Sequence, residues 1–384
     1  MPEQRHPSST PTRPMREPRV ILAGGGTGGH IFPAISIADA ILARAPHADI
    51  LFIGAKGRME MQKVPEAGYP IEGLDIAGFD RRALWRNLGL PFRLLRSFAR
   101  VRSLFRRFRP QAVVGVGGYS SFPVVRYAQW LGIPTFIHES NAHAGKSNIL
   151  LARRATAVFV AAEGMGRFFP ADRIRLSGNP IRKGIADAAI SRKEALEYFG
   201  LDPALRTILA IGGSLGARSI NEAIAAGLED IRDAGLQLIW QTGRDFATRA
   251  AGLAEGRPHV RTYAFIREMP LAYAASDLVV SRAGAMSVSE IAAAGKPAIF
   301  VPYPLASEDH QTANAARLVG MGAARLVADA EAADKLVKTA ISLAGDAEAC
   351  NRMGDQAAKA STPDAAGTVA GYVLEELERR RSQA

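Results

Sequence analysis

The chain has 384 residues, enough for two or three domains. Its 48% apolar and 22% charged residues, with a mean hydropathy of +0.00, suit an ordinary globular protein and exclude a disordered, collagenous or multi-span membrane chain. The net charge is +11, and residues 81–109 carry +10 of it, with ten arginines and no Lys, Asp or Glu.

In chain order, residues 1–18 hold five prolines and no apolar core, so they read as a disordered tail and not as a secretory signal. Residues 20–23 predict a strand that runs into Gly24-Gly25-Gly26-Thr27-Gly28-Gly29. This G-x-G-x-x-G between strand and helix is suited to placing amides and a helix N-terminus against phosphate. A dinucleotide enzyme would need an acid at the end of the second strand to hold a ribose. That strand, residues 50–53, ends in Gly54-Ala55-Lys56 without one. A purely structural use of the glycines, as a tight turn under a packed helix, stays open.

Residues 81–109 interleave their arginines with Phe92, Phe98, Phe105 and Phe108, which admits an RNA-binding surface. Against this, Leu94, Leu95, Phe98, Val101, Phe105 and Phe108 follow at three- and four-residue steps, predicting one helical stripe that is buried or faces a membrane. The strand at 112–116 leads into a third glycine cluster, Gly115 to Ser121. Strands follow at 135–138 and 157–160, and Ser177-Gly178-Asn179-Pro180 fits a domain boundary. The second half repeats the plan: residues 207–211 run into Gly212-Gly213-Ser214-Leu215-Gly216-Ala217. Further strands are expected at 238–241, 260–263, 278–281 and 298–301, giving about five strands per half. Thr362-Pro363-Asp364 opens a last helix reaching about Arg381. The alternation predicts an α/β chain of two similarly built domains with a cleft for phosphate-bearing ligands.

The lone Cys350 cannot form an intramolecular disulfide, and seven scattered histidines without partner thiols make no zinc pattern, so a cytosolic location is expected. With no run of about 18 apolar residues, membrane contact is expected to be peripheral.

Together, GGTGGHIFPA, His138-Glu139-Ser140-Asn141, Gly178-Asn179-Pro180-Ile181-Arg182, GGSLGAR, Arg282-Ala283-Gly284-Ala285-Met286-Ser287-Val288-Ser289-Glu290 and Asp309-His310-Gln311-Thr312-Ala313-Asn314 resemble the MurG family in matching order over residues 19–324. The resemblance implies a GT-B fold, with two Rossmann-like domains facing across a cleft. It implies an inverting transfer of N-acetylglucosamine from UDP-N-acetylglucosamine to the C4 hydroxyl of the undecaprenyl-diphospho-N-acetylmuramoyl-pentapeptide acceptor. The domains expected are 19–178 for the acceptor and membrane, 179–361 for the donor, and 362–384 as a helix returning to the first. By the same resemblance Glu290 meets the ribose hydroxyls; Ala285, Met286, Ser287 and Ser214 meet nucleotide and phosphates; Arg182 lies near the nucleotide and Ile266 meets uracil through its backbone. Asn141 and Gln311 touch the donor sugar, while Thr27, Gly28 and Gly29 meet the acceptor diphosphate. His310 stands where some relatives have glutamine, and its role is open.

His30, where the first glycine loop becomes a helix, is the expected general base; orienting the acceptor diphosphate is its alternative. Glu290 also lies three residues after Ser287, the spacing of a capping box. No D-x-D triplet occurs, so metal-independent chemistry without a cofactor is expected, with amides near Ser214 and Ser287 and the Arg182 charge meeting the departing UDP. Arg81, Arg82, Trp85, Arg86 and Arg93 are expected to dock on the anionic cytoplasmic face of the inner membrane. No nucleic-acid partner is expected. The competing readings are a transferase for a small soluble acceptor and a basic nucleic-acid-binding protein.

Overall fold

A computed structural model describes residues 17–76, 90–185, 190–213, 215–306, 309–362 and 364–383. The expectations for the N-terminal tail up to residue 16 and for Arg81, Arg82, Trp85, Arg86, Ser214 and Pro363 lie outside the described residues.

The first half alternates strand and helix as β1 (Arg19–Gly24), α1 (Gly28–Arg44), β2 (Asp49–Ala55), α2 (Glu60–Glu66), β3 (Ile71–Leu74), α3 (Leu90–Phe108), β4 (Ala112–Gly117), α4 (Ser121–Trp130), β5 (Thr135–Glu139), α5 (Lys146–Ala152), β6 (Ala157–Val160) and β7 (Ile174–Leu176). These strands pair in parallel in the order β3-β2-β1-β4-β5-β6-β7. The second half continues with α6 (Arg192–Phe199), β8 (Arg206–Ile211), α7 (Arg218–Ala226), α8 (Leu228–Asp233), β9 (Leu236–Gln241), α9 (Arg244–Ala254), β10 (Val260–Tyr263), α10 (Met269–Ala275), β11 (Leu278–Ser281), α11 (Ala285–Ala293), β12 (Ala298–Phe300), α12 (His310–Gly320), β13 (Ala324–Leu326), α13 (Ala332–Gly345), α14 (Ala347–Ala360) and α15 (Ala365–Ser382). Its parallel sheet runs β10-β9-β8-β11-β12-β13.

Seven and six strands replace the five expected per half. The additional ones, β3, β7 and β13, are three- or four-residue edge strands with Glu or Arg inside them, so no apolar run marks them. The central strands are mainly apolar because helices cover both faces of each sheet. Val20, Ile21, Leu22 and Ala23 are fully buried, and alternate residues belong to the cores on opposite faces.

The order of each sheet reverses beside its first strand, between β1 and β4 and between β8 and β11. A crevice opens at such a switch point beyond the strand ends. The glycine loops after β1, β4 and β8 and the start of α11 lie at these two places.

The C-terminal helix α15 is capped by Asp364, whose side chain accepts from the Gly367 amide at 3.0 Å. Its Val369, Ala370, Val373 and Leu377 enter the core of the first sheet beside α1, and Tyr372 meets the rings of Phe136 and Phe159. That apolar face ties the end of the chain to its beginning.

Candidate active site

His30 sits in the first turn of α1, half-buried. Its Nδ1 is 3.1 Å from the Gly25 carbonyl and 3.4 Å from Thr27 Oγ1. A carbonyl only accepts, so Nδ1 carries the proton and Nε2 keeps its lone pair. Burial pushes the imidazole below its ordinary pKa; Glu139, the Gly25 bond and Glu60 pull it back up, and His310 adds to the lowering. His310 heads α12 of the second half, so this influence on His30 comes from the opposite domain. Gly117, at φ 97°, leaves the space for the ring: a β-carbon there would stand 2.8 Å from His30 Cδ2.

The loop before α1 is only partly open to an incoming anion. Glu60, buried at the start of α2, accepts from the Gly26 amide through Oε2 and from the Ala55 amide through Oε1, both at 2.9 Å. The Gly26 donor expected for phosphate is therefore already engaged, while the amides of Gly28 and Gly29 lack intrahelical acceptors, as at any helix start. Thr27, the N-cap position, is exposed and makes no side-chain cap bond.

The second half presents α11. Its N-cap is Gly284, which puts Ala285, Met286 and Ser287 in the first turn with their amides at the helix mouth. Glu290 is inside this helix, so the capping-box spacing after Ser287 has no such meaning here. Instead its carboxylate, 2% exposed, accepts from Arg182 Nε at 2.9 Å, Arg182 Nη2 at 3.1 Å and the Tyr273 hydroxyl at 3.2 Å. Burial opposes the Arg182 charge, yet Glu290 outweighs it and holds the guanidinium pKa up; burial and Glu290 both push the Tyr273 phenol well up. The guanidinium also lies 4.5 Å from the Phe32 ring centre of α1, bridging the domains.

A polar seam joins the halves nearby. Asn314 accepts from the Ala142 amide at 3.0 Å and donates to Asn141 Oδ1 at 3.3 Å and the Ala283 carbonyl at 3.2 Å. Asn179 donates to the Ser140 carbonyl at 3.1 Å and Ser289 Oγ at 2.9 Å. Glu139 fixes Asn141 from below, accepting from its amide and side chain through Oε1 and from Gly145 and Asn148 through Oε2. Gln311, half-buried on α12, accepts from the Tyr303 amide at 2.9 Å. The buried Ile266 donates its amide to Gln241 Oε1 at 2.8 Å, and Gln241 donates to the Gly213 carbonyl at 3.0 Å. The helix after the second glycine loop begins only at Arg218, later than the sequence suggests.

Sequence reasoning passed over Glu60, Tyr273 and Gln241, and it quoted Glu139, Asn179 and Asn314 within motifs without giving them work. Among the described residues, no three His, Cys, Asp or Glu side chains gather as a metal site would need. The arrangement provides an imidazole lone pair, two helix mouths suited to anions and a set of amide side chains suited to sugar hydroxyls.

The stripe on α3 divides. Val101 and Phe105 are core, with Leu104 beside them, whereas Phe92 and Leu95 are 72% and 67% exposed and Arg93 is exposed too. Phe98 stacks on Trp130 of α4 at 5.0 Å, and Trp130 and Leu131 are themselves more than half exposed. Among the described residues no helix is long and apolar enough to cross a membrane.

Comparison with known proteins follows the two halves. The Glycosyltransferase family 28 N-terminal domain matches residues 20–160 and its C-terminal domain residues 207–369. The chain is 47% identical to a protein of Phocaeicola vulgatus over 95% of this chain and 98% of that one, and 49% identical to a protein of Bacteroides fragilis over 93% and 95%. Both relatives are named UDP-N-acetylglucosamine–N-acetylmuramyl-(pentapeptide) pyrophosphoryl-undecaprenol N-acetylglucosamine transferase. The crystal structure of Acinetobacter baumannii MurG superposes with a TM-score of 0.73 at 30% identity, covering 93% of this chain and 99% of that one. A UDP-GlcNAc 2-epimerase from Neisseria meningitidis shares the fold alone, at a TM-score of 0.65 and 14% identity over 93% and 100% of the two chains.

Proposed function

The chain belongs to the MurG family of GT-B glycosyltransferases, and from that premise we propose how its residues divide the work of the reaction. It is an N-acetylglucosaminyltransferase of peptidoglycan synthesis, moving N-acetylglucosamine from UDP-N-acetylglucosamine to the C4 hydroxyl of the undecaprenyl-diphospho-N-acetylmuramoyl-pentapeptide acceptor. The observation that carries the division of roles is the bond of His30 Nδ1 to the Gly25 carbonyl, which leaves Nε2 its lone pair, while the opposite domain offers the open amides of the first turn of α11.

His30 Nε2 takes the proton of the acceptor hydroxyl as that oxygen attacks the anomeric carbon and the bond to UDP breaks. The amides of Ala285, Met286 and Ser287 and the Arg182 guanidinium meet the charge that develops on the diphosphate. Glu290 accepts from the ribose hydroxyls; because Arg182 spends two nitrogens on it, the guanidinium must release a carboxylate oxygen as it turns to the diphosphate. Ser214 adds a hydroxyl to the phosphate site and Ile266 reads uracil, which requires its amide to leave Gln241 or its carbonyl to do the reading. Asn141, Gln311 and His310 surround the donor sugar. Thr27, Gly28 and Gly29 hold the acceptor diphosphate at the start of α1.

Residues 19–178 then serve the acceptor and the membrane, 179–361 the donor, and 362–384 tie back to the first domain. Phe92, Leu95 and Trp130 with the arginines of α3 support peripheral docking on the anionic cytoplasmic face of the inner membrane, in company with Arg81, Arg82, Trp85, Arg86 and Arg93. Nucleic acid is not a partner in this reading. A radiolabel assay offering UDP-N-acetylglucosamine and a lipid-linked N-acetylmuramoyl-pentapeptide acceptor tests it: a lipid-linked disaccharide is expected, and its absence with folded protein overturns it.

A further inference from the structure

We infer that Glu60 is a positioning residue for His30, holding the loop between β1 and α1 so that the Gly25 carbonyl fixes the imidazole with its proton on Nδ1 and its lone pair on Nε2. The inference rests on the reading of His30 as the base.

Glu60 is 1% exposed, and among the described residues no Lys or Arg pairs with it. Its carboxylate instead spans two backbone segments: the end of β2 through the Ala55 amide, and the loop through the Gly26 amide. A buried charge held only by amides has a cost that an ordinary solvent-facing helix start would not bear. The surroundings are cut to fit it. A β-carbon on Gly25 would stand 2.1 Å from Glu60 Oε1, and one on Gly54 would stand 2.5 Å from Glu60 Cγ. On the other side, a β-carbon on Gly118 would meet the Gly25 carbonyl oxygen at 2.4 Å. The Gly25 peptide is thus clasped between Glu60 and Gly118, and the oxygen so fixed is the one facing His30 Nδ1.

The charge matters as well as the bonds. The titratable groups that act on His30 are Glu60 from α2, Glu139 from β5 and His310 from α12, and the buried His138 feels His30 in turn. The two carboxylates favour the imidazolium, so they make Nε2 a stronger base than burial alone would leave it.

Glu60→Gln tests both parts. The amide keeps the volume, but only its oxygen accepts, so one of the two backbone donors loses its partner. Nitrogen-15 spectra of the histidine rings should show His30 losing its preference for the Nδ1–H form and titrating at lower pH than in the parent. The acid limb of kcat/KM should move to lower pH, kcat should fall by about 10- to 100-fold, as for a modest misplacement of a reacting group, and donor KM should hold. An unchanged tautomer and titration of His30 overturn the inference, whatever happens to turnover. Failure of the base reading shows separately, as parent-like kcat in His30→Ala. Should Glu60→Gln not fold, Glu60→Asp keeps the charge but is too short to reach both amides; reduced kcat with an unmoved acid limb supports the inference, and parent kcat overturns it.

Discussion

Removing the Arg182 guanidinium should cost the second domain a measurable part of its stability. Arg182→Ala leaves a carboxylate that is 2% exposed with one remaining partner, the Tyr273 hydroxyl. Deleting one member of a buried ion pair costs about 3 to 5 kcal/mol. Arg182 keeps 25% of its side chain in water and Tyr273 stays bonded, so the value belongs at or below the lower end, about 2 to 3 kcal/mol. Loss of the contact with Phe32 adds about 0.5 to 1 kcal/mol. At about 2 to 4 °C per kcal/mol for a domain of this size, the melting temperature should drop by about 5 to 16 °C. Trp240, fully buried in the second core, reports that transition by fluorescence. The double variant Arg182→Ala/Glu290→Gln should lose less than the two single losses added together, because the orphaned charge is gone. Strict additivity, or a drop under about 1 °C, would refute the account of a structural pair that the donor must open.

His30→Ala should lower kcat by about 10² to 10⁴ with little change in donor KM, and turnover within tenfold of the parent would place the base elsewhere. Because burial holds the His30 pKa below the ordinary histidine value, and the base acts only when neutral, the acid limb of kcat/KM should fall below that value; a limb above it contradicts the assignment. Glu290→Ala should weaken UDP binding by about 1.5 to 3 kcal/mol in calorimetry, the worth of a charged acceptor. Phe92→Asp with Leu95→Asp should reduce co-sedimentation with anionic vesicles and slow transfer to a long-chain acceptor while sparing a short-chain one, and equal loss on both would remove the case for docking.

The two glycine loops and the ten other strands were legible because a buried parallel strand is largely a run of apolar residues and the loop after it must be small. Three of the edge strands were not, since β3, β7 and β13 owe their pairing to a neighbour and not to their own composition. Within the site, His30 and α11 could be placed from their loops. Glu60 could not: in Arg58-Met59-Glu60-Met61 it looks like any solvated acid, and its burial follows from two glycines, one of them 35 residues earlier in the chain. The lack of a side chain at Gly54, on the strand end, was the available signal. The pairing of Arg182 with Glu290 was likewise hidden, because residues 108 positions apart meet only once the second domain has folded.

The clasp at Glu60 makes two loops of similar sequence electrically unlike. The first already contains its own anion: a carboxylate sits on the Gly26 amide, behind the turn, where a nucleotide phosphate sinking into the loop would meet like charge. Its counterpart in the second domain is braced by Gln241, a neutral amide that adds no charge of its own. In the proposed reading, the acceptor diphosphate therefore stays at the outer rim of the first loop, beside Gly28 and Gly29, and the nucleotide diphosphate goes to the second, where no carboxylate braces the turn. On that reading, duplicated architecture gives two loops of unlike charge that would sort a nucleotide sugar from a lipid diphosphate before any sugar or base is read.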